Sequence, residues 1–173
     1  MTGIKPTTAA AKATAEDWVV AATIATEVPP SPVLKSPSTT LFSQAMIIAA
    51  QHAVAEVIAN RLAASGFPKT AMGVVLGPKQ FSAVMRGLSA GALGHRDIWA
   101  DAMAGVWFPV HVEECLEAWR HVRKGAFTPL VPGALHYFSP VSMSPPMSVP
   151  AWLSGKARIP CPSVHSDYFR FYS

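Results

Sequence analysis

The stretch from Ser43 to Ala64 constrains the fold more than any other. Ile47, Ala50, Val54, Val57, Ile58 and Leu62 recur at helical spacing and form one broad apolar face, and Gly66 supplies a stop just beyond. A helix this long draws most of its stability from elements that cover such a face. Two further helices are predicted. One begins near Thr14, where Asp17 three residues on completes a capping-box pattern and Trp18, Ala22 and Ala25 share a face, and it ends at Glu27 or Val28. The other runs from Pro109 to Lys124, with Val112, Cys115, Leu116, Trp119 and Val122 at helical spacing and Gly125 at its end. Asp97 into Ala104 reads as a further helix, and Gly73 to Leu76 as a short apolar segment. Residues 126–173 change character, being rich in Pro, Ser and aromatics, and predict loops with one small hairpin built from Leu135–Phe138 and Tyr168–Tyr172.

The expectation is therefore a mainly α single domain with a small β or loop-rich C-terminal part, spanning residues 14–173 behind a low-complexity arm at 1–13. A length of 173 residues with 50% hydrophobic content suits one core. On the long helix, Gln51, Asn60 and Arg61 read as solvent-facing or capping groups, and Glu56, four residues after His52, as half of a helix-face ion pair.

A net charge of +4 favours anionic partners. No basic run exceeds Arg123-Lys124 and no aromatic-interleaved basic stripe occurs, which argues against nucleic acid. No stretch of eighteen apolar residues is present, so no membrane span is expected. Cys115 and Cys161 lie outside any CxxC pattern and read as buried thiols, and the six histidines show no HxxxH or HExxH spacing, so neither a metal nor another cofactor is implied.

One carboxylate stands apart. The run Ala22-Thr23-Ile24-Ala25-Thr26-Glu27-Val28 delivers Glu27 to a break, because Pro29, Pro30, Pro32 and Pro37 cannot continue a helix. A carboxyl held there among Ile24, Val28 and alanines would be partly desolvated, which favours its protonated form and suits a general acid. The plain alternative is a solvated helix-end glutamate.

Three blocks then resemble the SleB-type cell-wall hydrolase family, the spore-cortex-lytic and related peptidoglycan-cleaving enzymes. They are Gln51 to Arg61 (QHAVAEVIANR), Phe67 to Val75 leading into Gln80-Phe81-Ser82, and Gly133-Ala134-Leu135-His136-Tyr137-Phe138, with a weaker echo in Val164 to Phe169. The resemblance implies a lysozyme-like fold, peptidoglycan as partner, and a proton-donating glutamate at the end of the preceding helix, the place Glu27 holds. It also marks a departure, since Val28-Pro29-Pro30 and an insertion of about a dozen residues replace the family's usual continuation. By the same resemblance, Gln80, Ser82, His136 and Tyr137 become hydrogen-bonding candidates for substrate, and Phe81 and Phe138 stacking candidates; packing in the core is the open alternative for both phenylalanines and for His136.

The other acids, Glu16, Asp17, Glu56, Asp97, Asp101, Glu113, Glu114, Glu117 and Asp167, read as helix starts or charged faces, so no second catalytic carboxylate emerges. The lytic transglycosylases of the family need only one. The expected function is thus cleavage of the glycan strand by a one-glutamate acid/base, of lytic transglycosylase or muramidase type. The alternative is a non-catalytic structural or glycan-binding virion protein that retains the fold; an amidase or peptidase, needing a metal or a Cys/His pair, ranks behind both. Without the apolar core of a signal peptide near Met1, the expected setting is a phage or phage-like particle lysin acting in the periplasm or cell wall, with residues 1–13 available to dock on other particle or tail proteins.

Overall fold

The computed structural model describes residues 12–28, 43–77, 81 and 110–173. Among them run four helices, α1 (Ala15–Glu27), α2 (Gln44–Ala63), α3 (Ala71–Leu76) and α4 (Val110–Lys124), followed by three short strands, β1 (His136–Phe138), β2 (Arg158–Ile159) and β3 (Arg170–Tyr172). The mainly α architecture with a small β-containing C-terminal part is the one the sequence predicts. The helix expected over 97–104 and nearly all of the arm at 1–13 fall outside the described residues.

α1 starts where the capping pattern places it. The Thr14 hydroxyl accepts from the Asp17 N–H at 3.2 Å, and the Asp17 carboxylate accepts from the Thr14 N–H at 3.0 Å, satisfying two donors that a helix start leaves open. Its burial is wider than expected: every residue from Asp17 to Ala25 is buried, so α1 has no solvent face and the other three helices pack against it. Small side chains allow this, and the one hydroxyl in the stretch, that of Thr23, donates back to the Val19 carbonyl at 2.9 Å.

α2 buries the predicted positions Ile47, Ala50, Val54, Val57 and Ile58 together with Ala53 and Ala55. Gly66, at φ 85°, turns the chain beyond it, a conformation that favours glycine. The short apolar segment Gly73–Leu76 is helical. It belongs to a short helix that Thr70 caps by accepting from the Gly73 N–H at 3.0 Å, while Glu16 of α1 accepts from the Met72 N–H at the same distance. α4 buries Val112, Cys115, Leu116 and Trp119, as its spacing predicts.

Asp17 corrects the reading of a solvated helix-start charge. Its Oδ1 accepts from Trp119 Nε1 at 3.0 Å and from Arg123 Nη1 at 2.9 Å, so one buried carboxylate both caps α1 and ties it to α4. Burial opposes its ionisation, but the bonds from the Thr14 backbone and hydroxyl, Trp119 and Arg123 together outweigh burial and hold the carboxyl below its ordinary range. A depressed folded-state pKa stabilises the fold above the unfolded value of 3.8 and loses that contribution as pH falls through the folded value. Asp17→Asn is therefore expected to cost ~2 kcal/mol at neutral pH, with the gap to wild type closing in acid-unfolding curves below pH 3.8.

The C-terminal part departs from the predicted hairpin. β1 pairs antiparallel with β3 across a long intervening segment, and β2, which the sequence pattern did not mark, pairs with the other edge of β3, giving the order β1-β3-β2. Antiparallel partners project to the same face. His136, Tyr172 and Arg158 therefore share one face with Phe138 and Arg170, and Tyr137, Phe171 and Ile159 share the other. Phe171 is fully buried in the core, so Tyr137 lies on the inward face and its two neighbours on the outward one.

Candidate active site

α1 ends at Glu27, and the buried Val28 closes the helix by donating its N–H to the Ile24 carbonyl at 2.8 Å. The exit from the helix is pinned as well. His111 of α4 donates from Nε2 to the Val28 carbonyl at 2.7 Å, which leaves Nδ1 to accept from Gln51 Nε2 at 3.3 Å. Gln51 is thus a buried link between α2 and α4 rather than an exposed or capping group.

Against this fixed end comes Tyr137. Its hydroxyl donates to Glu27 Oε2 at 2.8 Å. Burial pushes the phenol well above its ordinary pKa, and the Glu27 charge and the hydrogen bond add to the shift against the pull of Arg61, so the hydroxyl stays protonated and remains a donor. Around the ring stand Phe169, edge-on at 5.5 Å, Phe171 at 6.1 Å and Phe81 at 6.3 Å. They fix the ring's direction by packing.

What positions Tyr137 is a stripe on α2. Glu56 Oε2 accepts from the N–H groups of Leu130 and Val131 at 2.8 and 3.0 Å. Asn60 Nδ2 donates to the carbonyls of Val131 and Ala134 at 3.2 and 3.1 Å, and Arg61 Nε donates to the Leu135 carbonyl at 2.7 Å. These three side chains, within about a turn and a half of α2, clamp the loop that enters β1. The expected Glu56–His52 ion pair is absent, because Glu56 reaches the loop backbone, whereas His52 bonds the Ile48 carbonyl at 2.9 Å and lies against Phe127. Asn60 and Arg61 are therefore not solvent-facing or capping groups but braces for the strand that carries Tyr137.

Arg61 belongs to both layers. Its guanidinium lies 5.1 Å from the Phe81 ring centre and 5.6 Å from that of Phe67. Burial lowers its pKa while Tyr137 and the Glu27 carboxylate pull it back up, and a guanidinium so placed stays charged. A permanent positive charge beside Glu27 and Tyr137 can offset negative charge that develops there.

The candidate residues divide into groups. Glu27 and Tyr137 meet directly. Phe81 is almost wholly buried against Arg61 and Tyr137, and Phe138 is buried on the far sheet face, stacked on Tyr172 at 6.0 Å. His136, also on that face, accepts from Lys156 Nζ at 2.8 Å; burial, then the charges of Lys156 and Arg61, push its pKa down and keep the imidazole neutral. Gln80 and Ser82 lie outside the described residues. Sequence reasoning missed the two groups with the clearest links to Glu27, the Arg61 charge and the His111 clamp; the Gln51 to Arg61 block held the first, whereas a lone histidine on α4 gave no sign of the second. Both cysteines are free, Cys115 buried and Cys161 partly so. Burial pushes the Cys115 thiol far above its ordinary range, leaving it unreactive. Among the described residues no helix is long and apolar enough to cross a membrane.

Comparison with known proteins bears on the fold and the family. The fold is similar to the catalytic domain of the Bacillus cereus SleB protein, at 18% identity and a TM-score of 0.57, and to the catalytic domain of a germination-specific lytic transglycosylase SleB from Bacillus anthracis, at 20% and 0.58. Each comparison covers 98% of this chain and 100% of the other. No curated protein sequence matches the chain. The model of the cell wall hydrolase family matches residues 48–169, a span that takes in the α2 clamp, Phe81 and the strand of Tyr137 and begins after Glu27. With most of its length inside that match and the lysozyme-like fold around it, the chain belongs to the cell wall hydrolase family.

Proposed function

We propose that this protein cleaves the glycan strand of peptidoglycan between N-acetylmuramic acid and N-acetylglucosamine, with Glu27 as its single general acid and base. The observation that carries the reading is the contact of Tyr137 with Glu27 beside the Arg61 charge, at the helix end where the family resemblance puts a proton donor. The buried acids Asp17 and Glu56 are committed to Trp119, Arg123 and the 130–131 backbone, which favours a one-carboxylate mechanism. Glu27 protonates the bridging oxygen as the bond to the muramic C1 breaks and positive charge builds on the ring. The resulting carboxylate then takes the proton from the sugar's own 6-hydroxyl, whose oxygen closes on C1; the products are a 1,6-anhydro end and a free 4-hydroxyl, and no water is consumed. If water replaces the 6-hydroxyl as the attacking group, the outcome is muramidase hydrolysis. Gln80 and Ser82 are proposed as groups that bind the sugars.

Muropeptide analysis of purified sacculi treated with the wild-type protein tests the proposal. We expect 1,6-anhydro products; new reducing ends would assign hydrolysis, and neither product would overturn glycan cleavage. That last result would favour the non-catalytic reading, which the Val28-Pro29-Pro30 departure supports. Tyr137→Phe keeps the ring packing and removes the donor, so kcat should fall about tenfold, the equivalent of ~1.4 kcal/mol for a hydrogen bond to a charged group, with KM within about twofold. A phage-borne setting is proposed separately, and finding or failing to find the chain among the proteins of purified particles decides it.

A further inference from the structure

The outward face of the sheet has no part in the acid chemistry, yet it is not an ordinary surface. Trp152, 45% exposed, sits on it at 5.8 Å from the His136 ring and edge-on to Phe138 at 6.2 Å, so the indole is braced from below and open on its outer side. Met147 at 44% and Val149 at 61% are exposed in the preceding segment, which Pro145, Pro146 and Pro150 stiffen. Beside it, His136 holds the Lys156 ammonium, and Arg158 stands in the same cross-strand row, exposed. Residues 126–173 contain three cations, Lys156, Arg158 and Arg170, against one carboxylate, Asp167, which is taken up by Arg170 at 3.6 Å. Among the described residues no side-chain carboxylate pairs with Lys156 or Arg158, so the face joins a braced, open aromatic to two cations.

We propose that this face is a second, non-catalytic binding surface for the same polymer, in which a sugar ring stacks on Trp152 and carboxylates of the peptide stems meet Lys156 and Arg158. The inference rests on the reading of peptidoglycan as substrate. The apolar C–H face of a pyranose matches an exposed indole, and the stem carboxylates match the cations in charge. A second copy of the chain is disfavoured as occupant, because two such cationic faces repel. His136 and Tyr137 are successive residues of β1 on opposite faces, and the Arg61 charge reaches both. One strand therefore separates the proton donor's partner from the binding face.

The test uses the full chain, purified sacculi in a pelleting assay, and a soluble peptidoglycan tetrasaccharide as short substrate. Trp152→Ala and the Lys156→Ala/Arg158→Ala pair are each expected to weaken pelleting about tenfold, as for the loss of one good contact, while kcat/KM on the tetrasaccharide stays within about twofold. Raising the salt should weaken the wild type and have little further effect on the double variant. The charge pair keeps the test valid if loss of the indole disturbs Phe138 beneath it. Unchanged pelleting in both variants overturns the proposal while leaving glycan cleavage intact, and a wild type that cleaves no glycan defeats the parent reading instead. Equal losses on the tetrasaccharide, displacement by duplex DNA of matched charge, or a Trp152-dependent dimer would each overturn it by assigning the face to catalysis, to polyanions in general or to self-association.

Discussion

Glu27→Gln is expected to lower turnover of sacculi by roughly a thousandfold, the middle of the range for removing a general acid, while binding and melting temperature stay near wild type. The substitution is nearly isosteric, and the amide oxygen can still accept from Tyr137, so the local packing that ends in the 2.8 Å contact has no reason to collapse. What is lost is the transferable proton. A zymogram read beside muropeptide analysis checks it: the variant should give no clearing and no anhydro products at concentrations where wild type gives both. Wild-type activity in the variant would place the acid elsewhere, and the assignment of Tyr137 and Arg61 as its partners would go with it.

Glu56→Leu should produce the largest loss of stability at a site remote from the acid. It removes the acceptor of two N–H groups in the clamped loop, and Val131 is fully buried, so at least one donor is left without a partner where water does not reach it. A cost of about 3 kcal/mol is expected, which for a chain of this size lowers the melting temperature by roughly 6 to 12 °C. Glu56→Gln keeps an acceptor and should lose less than half as much. Below its own melting temperature the leucine variant should also turn over more slowly than wild type, because the loop that slackens is the one that aims Tyr137. A leucine variant as stable as wild type would show that Asn60 and Arg61 hold the loop unaided.

The two predictions show which parts of the molecule were legible in the sequence. α1, α2 and α4 were, because a capping pair at Thr14 and Asp17 and the repeats of Val and Ile record local rules. Glu27 was legible for the same reason, as the last residue of an apolar helix. Partners chosen by tertiary contact were not. Glu56 is four residues from His52, which suggests a surface pair, and only the approach of the 130–135 loop explains why its carboxylate turns inward. β2 is two residues long and has no periodicity to detect. Phe81, His136 and Phe138 were candidates by the family resemblance; strand alternation places His136 and Phe138 on the face opposite Tyr137, and Phe81 serves as a platform for Arg61.

The full burial of α1 from Asp17 to Ala25 bears on how this protein can change. A helix packed on every side offers no position where a larger side chain fits without moving the rod, and a rod that moves carries Glu27 with it. Ala21 and Ala22, more than a turn from the carboxylate, should therefore be among the least mutable residues in an activity screen, ahead of many groups that surround the acid. Adaptation of the site to new glycans has to enter from the loop at 130–135, from position 111 or from the segment around Phe81, while the helix that presents the acid stays almost invariant.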